Sequence, residues 1–354
     1  LRWDAPGVET IAPNEATQIS QIQTIMQRMQ EHNYTLHGHA FRATHVKTQG
    51  IVKGEVKVHE DLPPHLRQGV FGEPGRVYDV VARYANEAYL LQRDGERGPR
   101  GLGVKVFGVR GERLDGEDGK DGGEIGTQDF LFNNSPSIEL TDIPTTLDIM
   151  GLRDQHFDDP EALRRALQSR SDARKQNAPY NLPNTDIISH AMFTQSAFRF
   201  GEWYGHMGLF PVVEEQKVRG AVEVGRGDGA GVLRDWLEGF FLGGCEAVYE
   251  FKIQLGTDPT HHPTEDGSVI WDETTSPYQT LGTLTFPPQN SFSHERRVFW
   301  EERMSLDPWR GLVAHRPLGG INRLRKGVYA HSRKVRDGIN VSEARDVRGV
   351  DEIP

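Results

Sequence analysis

The residues whose spacing most clearly suggests chemistry lie near the end of the sequence, in Arg325-Lys-Gly-Val-Tyr-Ala-His-Ser-Arg-Lys-Val-Arg336. Tyr329 follows Arg325 by four positions and precedes Arg336 by seven, and both offsets return close to one face of a helix. The pKa of a free phenol is about 10, and a nearby cation lowers it by favouring the phenolate. A phenolate is an anionic oxygen ligand for a metal ion such as iron. On spacing alone, the more common explanation is a half-buried tyrosine between arginines that face solvent.

The elements that must position these side chains follow from the hydrophobic patterns. Apolar residues at helical spacing after Asn14 predict an amphipathic helix over 14–33, which we expect to serve in packing or in a dimer contact. Short runs with alternating apolar residues between turn residues predict strands. The other predicted helices lie at 142–176, 227–242 and about 322–336, and the predicted strands at 51–58, 77–84, 101–107, 246–255 and 279–286.

This order of elements predicts an α+β fold. Its core would be a closed antiparallel β-barrel, with an N-terminal helix, helical insertions and C-terminal helices around it. The sequence contains 39 glycines and 20 prolines without a period, which favours many turns over a helical bundle. Most of the chain is therefore expected to form one barrel-based domain.

Composition excludes several classes of protein. The formal charge of −10 argues against nucleic-acid binding, which needs a basic surface. No apolar run approaches the length of a membrane span, and Cys245 is the only cysteine, so no internal disulfide can form. Residues 110–126 are rich in acids and glycine and predict a solvated loop, with a calcium site as the alternative. The acids of that alternative are Asp115, Glu117, Asp118 and Asp121, and their spacing does not fit an EF-hand.

The C-terminal motif resembles the proximal helix of the catalase superfamily. There, Arg-x-x-x-Tyr supplies the ligand of the haem iron, and an arginine seven residues later reaches the haem. Other segments resemble the superfamily in the same order, namely Arg42-Ala-Thr-His45, Val81-Ala-Arg-Tyr-Ala85, Arg100-Gly-Leu-Gly-Val-Lys-Val-Phe107 and Asp129-Phe-Leu-Phe-Asn-Asn-Ser-Pro136. Met304-Ser-Leu-Asp-Pro-Trp309 and His315-Arg-Pro-Leu-Gly-Gly-Ile-Asn-Arg323 are similar to the catalase-related small haem proteins, or minicatalases. These keep the barrel and lack the long C-terminal portion of full-length catalases.

The resemblance implies a role for each matching residue. Tyr329 would be the axial ligand of the iron of haem b, and Arg325 would hold it as a phenolate. His45 would be the distal base that moves a proton between the oxygens of a peroxide. Asn134 would be the distal amide that orients the peroxide. The arginines that match the haem-propionate arginines of the family are Arg42, Arg83 and Arg336.

Two positions depart from typical catalases. Ala85 stands where a serine supports the distal histidine, and Thr44 stands where valine is common. The catalase-like allene oxide synthases of corals carry a threonine at this place, whose hydroxyl can bond the imidazole or the ligand environment. An isosteric exchange for valine is the alternative, although a buried hydroxyl needs a partner. Both changes predict weak or no catalase activity.

The expected function is that of a haem-dependent, peroxidase-type oxidoreductase acting on hydrogen peroxide or organic hydroperoxides, with a small organic substrate. A fatty-acid hydroperoxide lyase or isomerase similar to allene oxide synthase is the alternative, and a non-catalytic haem-binding protein is a third. We expect a helical arm over 1–40, a catalase-like haem-binding domain over 41–354, and a homodimer. Residues 2–18 lack the apolar core of a secretory signal, which predicts a cytoplasmic location, although a removed export signal would leave the same sequence.

Overall fold

The computed structural model of the protein describes residues 1–114, 126–225, 227–343 and 345–354. The four acids of the alternative calcium site therefore lie outside the described residues.

In the described part of the chain, nine strands form one antiparallel sheet. They are β1 (Lys47–Val58), β2 (Val77–Asn86), β3 (Arg100–Val109), β4 (Gly126–Asn133), β5 (Met192–Phe193), β6 (Phe198–Phe200), β7 (Trp203–Pro211), β8 (Ala247–Leu255) and β9 (Tyr278–Phe286). The sheet closes into an eight-stranded barrel because the short strand β5 pairs with both β4 and β7, while β6 is added to β7. The predicted α+β fold with a closed barrel is confirmed.

Helices surround this barrel. Those described are α1 (Glu15–His37), α2 (Ile143–Gln155), α3 (Pro160–Gln168), α4 (Ala173–Asn177), α5 (Glu214–Lys217), α6 (Val232–Leu242), α7 (His294–Arg303) and α8 (Gly320–Asn340). The predicted helix over 142–176 is divided into α2, α3 and α4. One division falls at Asp159, whose side chain accepts from the Ala162 N–H and begins α3 with Pro160 in the first turn.

Strands β2 and β3 are buried on both faces, which explains their nearly continuous apolar sequence. On β2, Val80, Ala82 and Tyr84 belong to the core inside the barrel. The alternate residue Val81 belongs to a second core with Trp300 on the outside. Because side chains alternate along a strand, odd-numbered positions of β2 face the helices outside the barrel.

Helix α1 packs against α2 and α8 rather than standing apart. Ile22 and Met26 of α1 share an apolar cluster with Met150 of α2 and with Leu324 and Val328 of α8. The separation of residues 1–40 as an arm stays a prediction.

Within the described ranges, none of the helices is both long and apolar enough to cross a membrane. The homodimer and the cytoplasmic location stay predictions.

Candidate functional site

A cavity lies outside the barrel, between the outer faces of β2, β3 and β4 and the helices α1, α7 and α8. The space between its atoms amounts to ≈ 940 Å³, including the part open to solvent. Its walls contain Arg42, Thr44, His45, Arg83, Arg325, Tyr329 and Arg336. The structure thus brings together every residue selected from the sequence except Asn134.

One wall of the cavity, the helical wall, is a single face of α8. Its members are Arg325, Val328, Tyr329, Ser332, Arg333 and Arg336, at helical spacings of three and four. The first turn of α8 is fixed by Arg323, which pairs with Glu9, Glu15 and Glu265. The predicted common face of the two arginines and the tyrosine is therefore present.

Tyr329 and Arg325 form the central pair of the helical wall. Burial raises the pKa of Tyr329, and the guanidinium of Arg325 acts in the opposite direction. Arg325 Nη1 donates to Asn322 Oδ1 at 3.0 Å, which holds the guanidinium one turn below the phenol. With no metal ion, this buried phenol is neutral at ordinary pH. A bound metal cation would reverse that preference, because it stabilises the phenolate directly.

The opposite wall, the sheet wall, is set by strand register. Ala85 on β2 lies opposite Gly101 on β3, which lies opposite Asn133 on β4. A second row, two residues away on each strand, consists of Arg83, Gly103 and Leu131. All six face the cavity, because residues two apart on a strand share a face.

The same alternation places Asn133 in the cavity and Asn134 elsewhere. Asn134 follows the last residue of β4; its Oδ1 accepts from the Arg100 N–H at 2.8 Å, and its Nδ2 bonds to His190 Nδ1 at 2.9 Å. The side chain of Asn134 therefore ties down strand ends, and the amide that lines the cavity is that of Asn133. Counting alternate positions along β4 from Leu131 was the signal that could have identified Asn133.

His45 lies in the segment that joins α1 to β1. Its backbone is left-handed, at φ 55°, which is uncommon for a residue other than glycine. The conformation is held by a bond from the His45 N–H to Glu87 O at 2.9 Å and by one from Arg83 Nη2 to His45 O at 2.8 Å. The ring lies against Gly101, where a Cβ atom would come within 2.5 Å of the imidazole Cε1. Glycine at 101 is thus required by the position of His45.

The His45 imidazole is neutral over the working pH range. Burial, together with the charges of Arg83, Arg325 and Arg42, lowers the pKa of His45 to about 3. A neutral imidazole has a free lone pair and can accept a proton from a bound ligand.

Asn133 is oriented by a chain of hydrogen bonds that sequence reasoning missed. The carbonyl of Ser137 accepts from Gln195 Nε2 at 2.7 Å, and Gln195 Oε1 accepts from Asn133 Nδ2 at 2.6 Å. Because a carbonyl only accepts, it sets the orientation of both amides and leaves Asn133 Oδ1 without a partner among the residues that the structure describes. Gln195 also lines the cavity, and its backbone is left-handed, at φ 60°.

One end of the cavity, which we call the arginine cluster, contains Arg42, Arg83, Arg333 and Arg336. A carboxylate that was not selected from the sequence, Glu301 on α7, lies within it. Arg42 Nη1 and Thr48 Oγ1 both donate to Glu301, and Arg83 Nε lies 3.3 Å from its Oε1. Burial would raise the pKa of Glu301, but Arg42 and Arg83 outweigh it and hold this pKa at about 2.

Solved catalase structures have the same architecture. A fungal catalase superposes with a TM-score of 0.63 and 14% identity, covering 88% of this chain and 62% of that one. Catalase A from Saccharomyces cerevisiae superposes with a TM-score of 0.62 and 13% identity, covering 86% of this chain and 63% of that one. A bacterial catalase superposes with a TM-score of 0.59 and 16% identity, covering 91% of this chain and 63% of that one. The chain has the catalase fold.

This chain spans less than two thirds of the length of those catalases. A scan against protein-family models and a search of curated proteins both give no match. At this level of identity, the catalase fold is shown and the activity is a matter for proposal.

The charges of the cavity fit the haem that the resemblance implies. Among the described residues, the ion pairs of the four arginines of the arginine cluster are made with two acids, Glu301 and Asp337, which leaves a surplus of two positive charges. Haem b carries two propionates, whose two negative charges would balance that surplus. Arg336 Nε is buried without a partner among the described residues, and burial lowers the pKa of this guanidinium to about 10. The cluster is therefore suited to a dianionic ligand.

Proposed function

We propose that this chain is a haem-dependent oxidoreductase that reacts with hydrogen peroxide or an organic hydroperoxide. The observation that carries the proposal is the meeting of Tyr329 and His45 in one cavity, although nearly the whole chain separates them in sequence. Support also comes from the surplus charge of the arginine cluster and from the catalase fold.

In this proposal, the helical wall and the arginine cluster hold the cofactor. Tyr329 would supply the protein ligand of the iron, Arg325 would stabilise its phenolate, and Arg42, Arg83 and Arg336 would hold the two propionates. When bound, the haem iron would supply Lewis-acid and redox chemistry to the cavity.

The sheet wall handles the proton. Neutral His45 takes the proton from one oxygen of the hydroperoxide and returns it to the other, which then leaves as water or as an alcohol. Asn133 Oδ1 faces the cavity as an acceptor, because Gln195 engages the amide nitrogen, and it holds this O–H group until the proton moves to His45. Leu131 and Phe132 add apolar surface beside these groups, and a low local dielectric strengthens polar contacts.

The test is a side-by-side assay of the haem-loaded protein. Oxygen evolution reports dismutation of hydrogen peroxide, dye oxidation reports peroxidase turnover, and loss of diene absorbance reports conversion of a polyunsaturated hydroperoxide. His45→Ala should lower the active reactions by about 10²–10⁴-fold while the haem spectrum remains. Full activity of this variant in every assay would disprove the role of His45, and a chain that binds no haem would disprove the proposed function.

A second candidate function is rearrangement of a fatty-acid hydroperoxide, similar to that of allene oxide synthase. Thr44 and Ala85 favour it, because both departures from typical catalases line the cavity that contains His45. Thr44→Val should raise oxygen evolution by about tenfold if the hydroxyl suppresses dismutation. Unchanged oxygen evolution would show that the hydroxyl of Thr44 has no effect on dismutation and that Thr44 is only an isosteric exchange for valine.

A further inference from the structure

Glu301 occupies an unexpected place in the arginine cluster. Its carboxylate engages Arg42, Arg83 and Thr48, so it uses donors of two of the arginines that are expected to hold propionates. The neighbouring residue Trp300 is 1% exposed, which anchors this turn of α7 in the core. The chain thus places a carboxylate of its own where carboxylates of a ligand are expected.

The residues around Glu301 are mainly arginines, so this carboxylate neutralises positive charge. Four arginines converge at this end of the cavity. Among the described residues, the acid that forms ion pairs with them besides Glu301 is Asp337, which lies 3.5 Å from both Arg333 and Arg336. Arg83 is 5% exposed, and burial lowers its pKa to about 10. Without a carboxylate at 301, Arg83 would be a buried cation and Arg42 a partly buried one, with only neutral acceptors among the described residues.

We propose that Glu301 is a built-in counter-ion that holds Arg42 and Arg83 in place in the haem-free protein and limits the affinity of the cluster for the acidic edge of the haem. The inference rests on the proposed function for the identity of the ligand. Entering propionates must share these two arginines with Glu301, whereas an uncharged ligand does not compete with this carboxylate. Glu301 thereby lowers the preference of the cavity for a dianionic ligand over an uncharged one of the same shape.

Glu301→Gln separates these effects, because it keeps the shape of the side chain and removes its charge. The haem-free variant should melt about 5 °C lower than the wild type, since one buried and one partly buried guanidinium group lose their counter-ion. Its affinity for haemin should rise by about tenfold, because three surplus positive charges now face two propionates. Its affinity for haemin dimethyl ester, which has no propionate charge, should not rise.

The matched control is Glu302→Gln, one residue further along the helix. Glu302 pairs with His39 Nε2 at 3.2 Å, and both side chains are partly exposed. This variant should keep the wild-type melting temperature and the wild-type ratio of haemin to ester affinity. Glu301→Asp keeps the charge, so its ratio of haemin to ester affinity should stay near that of the wild type. This variant still tests the proposal if Glu301→Gln does not fold without haem.

The measurements are thermal melting of the haem-free chain and absorbance titrations with haemin and its dimethyl ester. A ratio of haemin to ester affinity in Glu301→Gln equal to that of the wild type would overturn the effect of Glu301 on ligand preference, and equal melting temperatures would overturn its role as a counter-ion. If the wild type binds no haemin, the proposed function and the effect on ligand preference both fail, whereas the melting difference still decides whether Glu301 is a counter-ion.

Discussion

The helical wall and the sheet wall of the cavity enclose the same space but are built in different ways. The helical wall is one face of α8, and its residues are neighbours in sequence. The sheet wall is assembled from β2, β3, β4, the segment before β1 and the residues after β5, and it exists only through strand register. Helix geometry therefore fixes the first wall locally, whereas the second depends on distant packing.

This difference separates the two tasks of the site. The helical wall presents the phenol and two of the arginines, Arg325 and Arg336, that would hold a cofactor. The sheet wall presents His45 and Asn133, each with a fixed orientation. Changes in the helical wall should therefore reduce binding, and changes at His45 or Asn133 should reduce turnover while binding remains.

Tyr329→Phe should have the largest effect on binding. Removal of the axial oxygen should weaken haem affinity by about 100-fold or more, since loss of groups that merely support a ligand already costs about 10–100-fold. An absorbance titration with haemin measures this affinity. Tyr34→Phe on the exposed side of α1 is the control. An unchanged spectrum and affinity in Tyr329→Phe would show that the helical wall does not supply the ligand.

Gly101→Ala should damage the sheet wall alone. The added Cβ would lie 2.5 Å from the His45 ring, so the imidazole must move. A displacement of about 1 Å can lower turnover by about 100-fold, while haem affinity should change little. Gly98→Ala, where no atom lies within 4 Å of the added Cβ, is the matched control. Equal turnover of the two variants would show that His45 takes no part in the proposed reaction.

The adjacent amides give the smallest and sharpest comparison. Asn133→Ala should lower turnover by about tenfold, because it removes the acceptor that faces the cavity. Asn134→Ala should leave turnover near the wild type and lower the free energy of unfolding by about 1–3 kcal/mol, because the Arg100 N–H loses its acceptor. Steady-state kinetics and denaturant unfolding measure the two quantities. The reverse result would return the distal role to Asn134.

Much of the barrel follows from sequence patterns, because alternation of apolar residues identifies strands such as β1, β2, β3, β8 and β9. Strand β7 and helix α7 were not predicted. The sequence of β7 contains Gly205 and Gly208, which interrupt the alternation. A Cβ at Gly205 would come within 2.4 Å of Gln254 O, so close approach of β8 determines that residue. Such requirements arise from a neighbouring strand and leave no local pattern.

The sequence by itself determined the helical wall, because the 3.6-residue period of α8 brings Arg325, Tyr329 and Arg336 to one face without help from other elements. Only the tertiary structure decided which amide faces the cavity and that Glu301 joins the arginine cluster. The physical reason is that hydrogen-bond partners and counter-ions are chosen by proximity in space. Glu301 contacts Arg42, 259 positions away, and no spacing along the chain records such a contact.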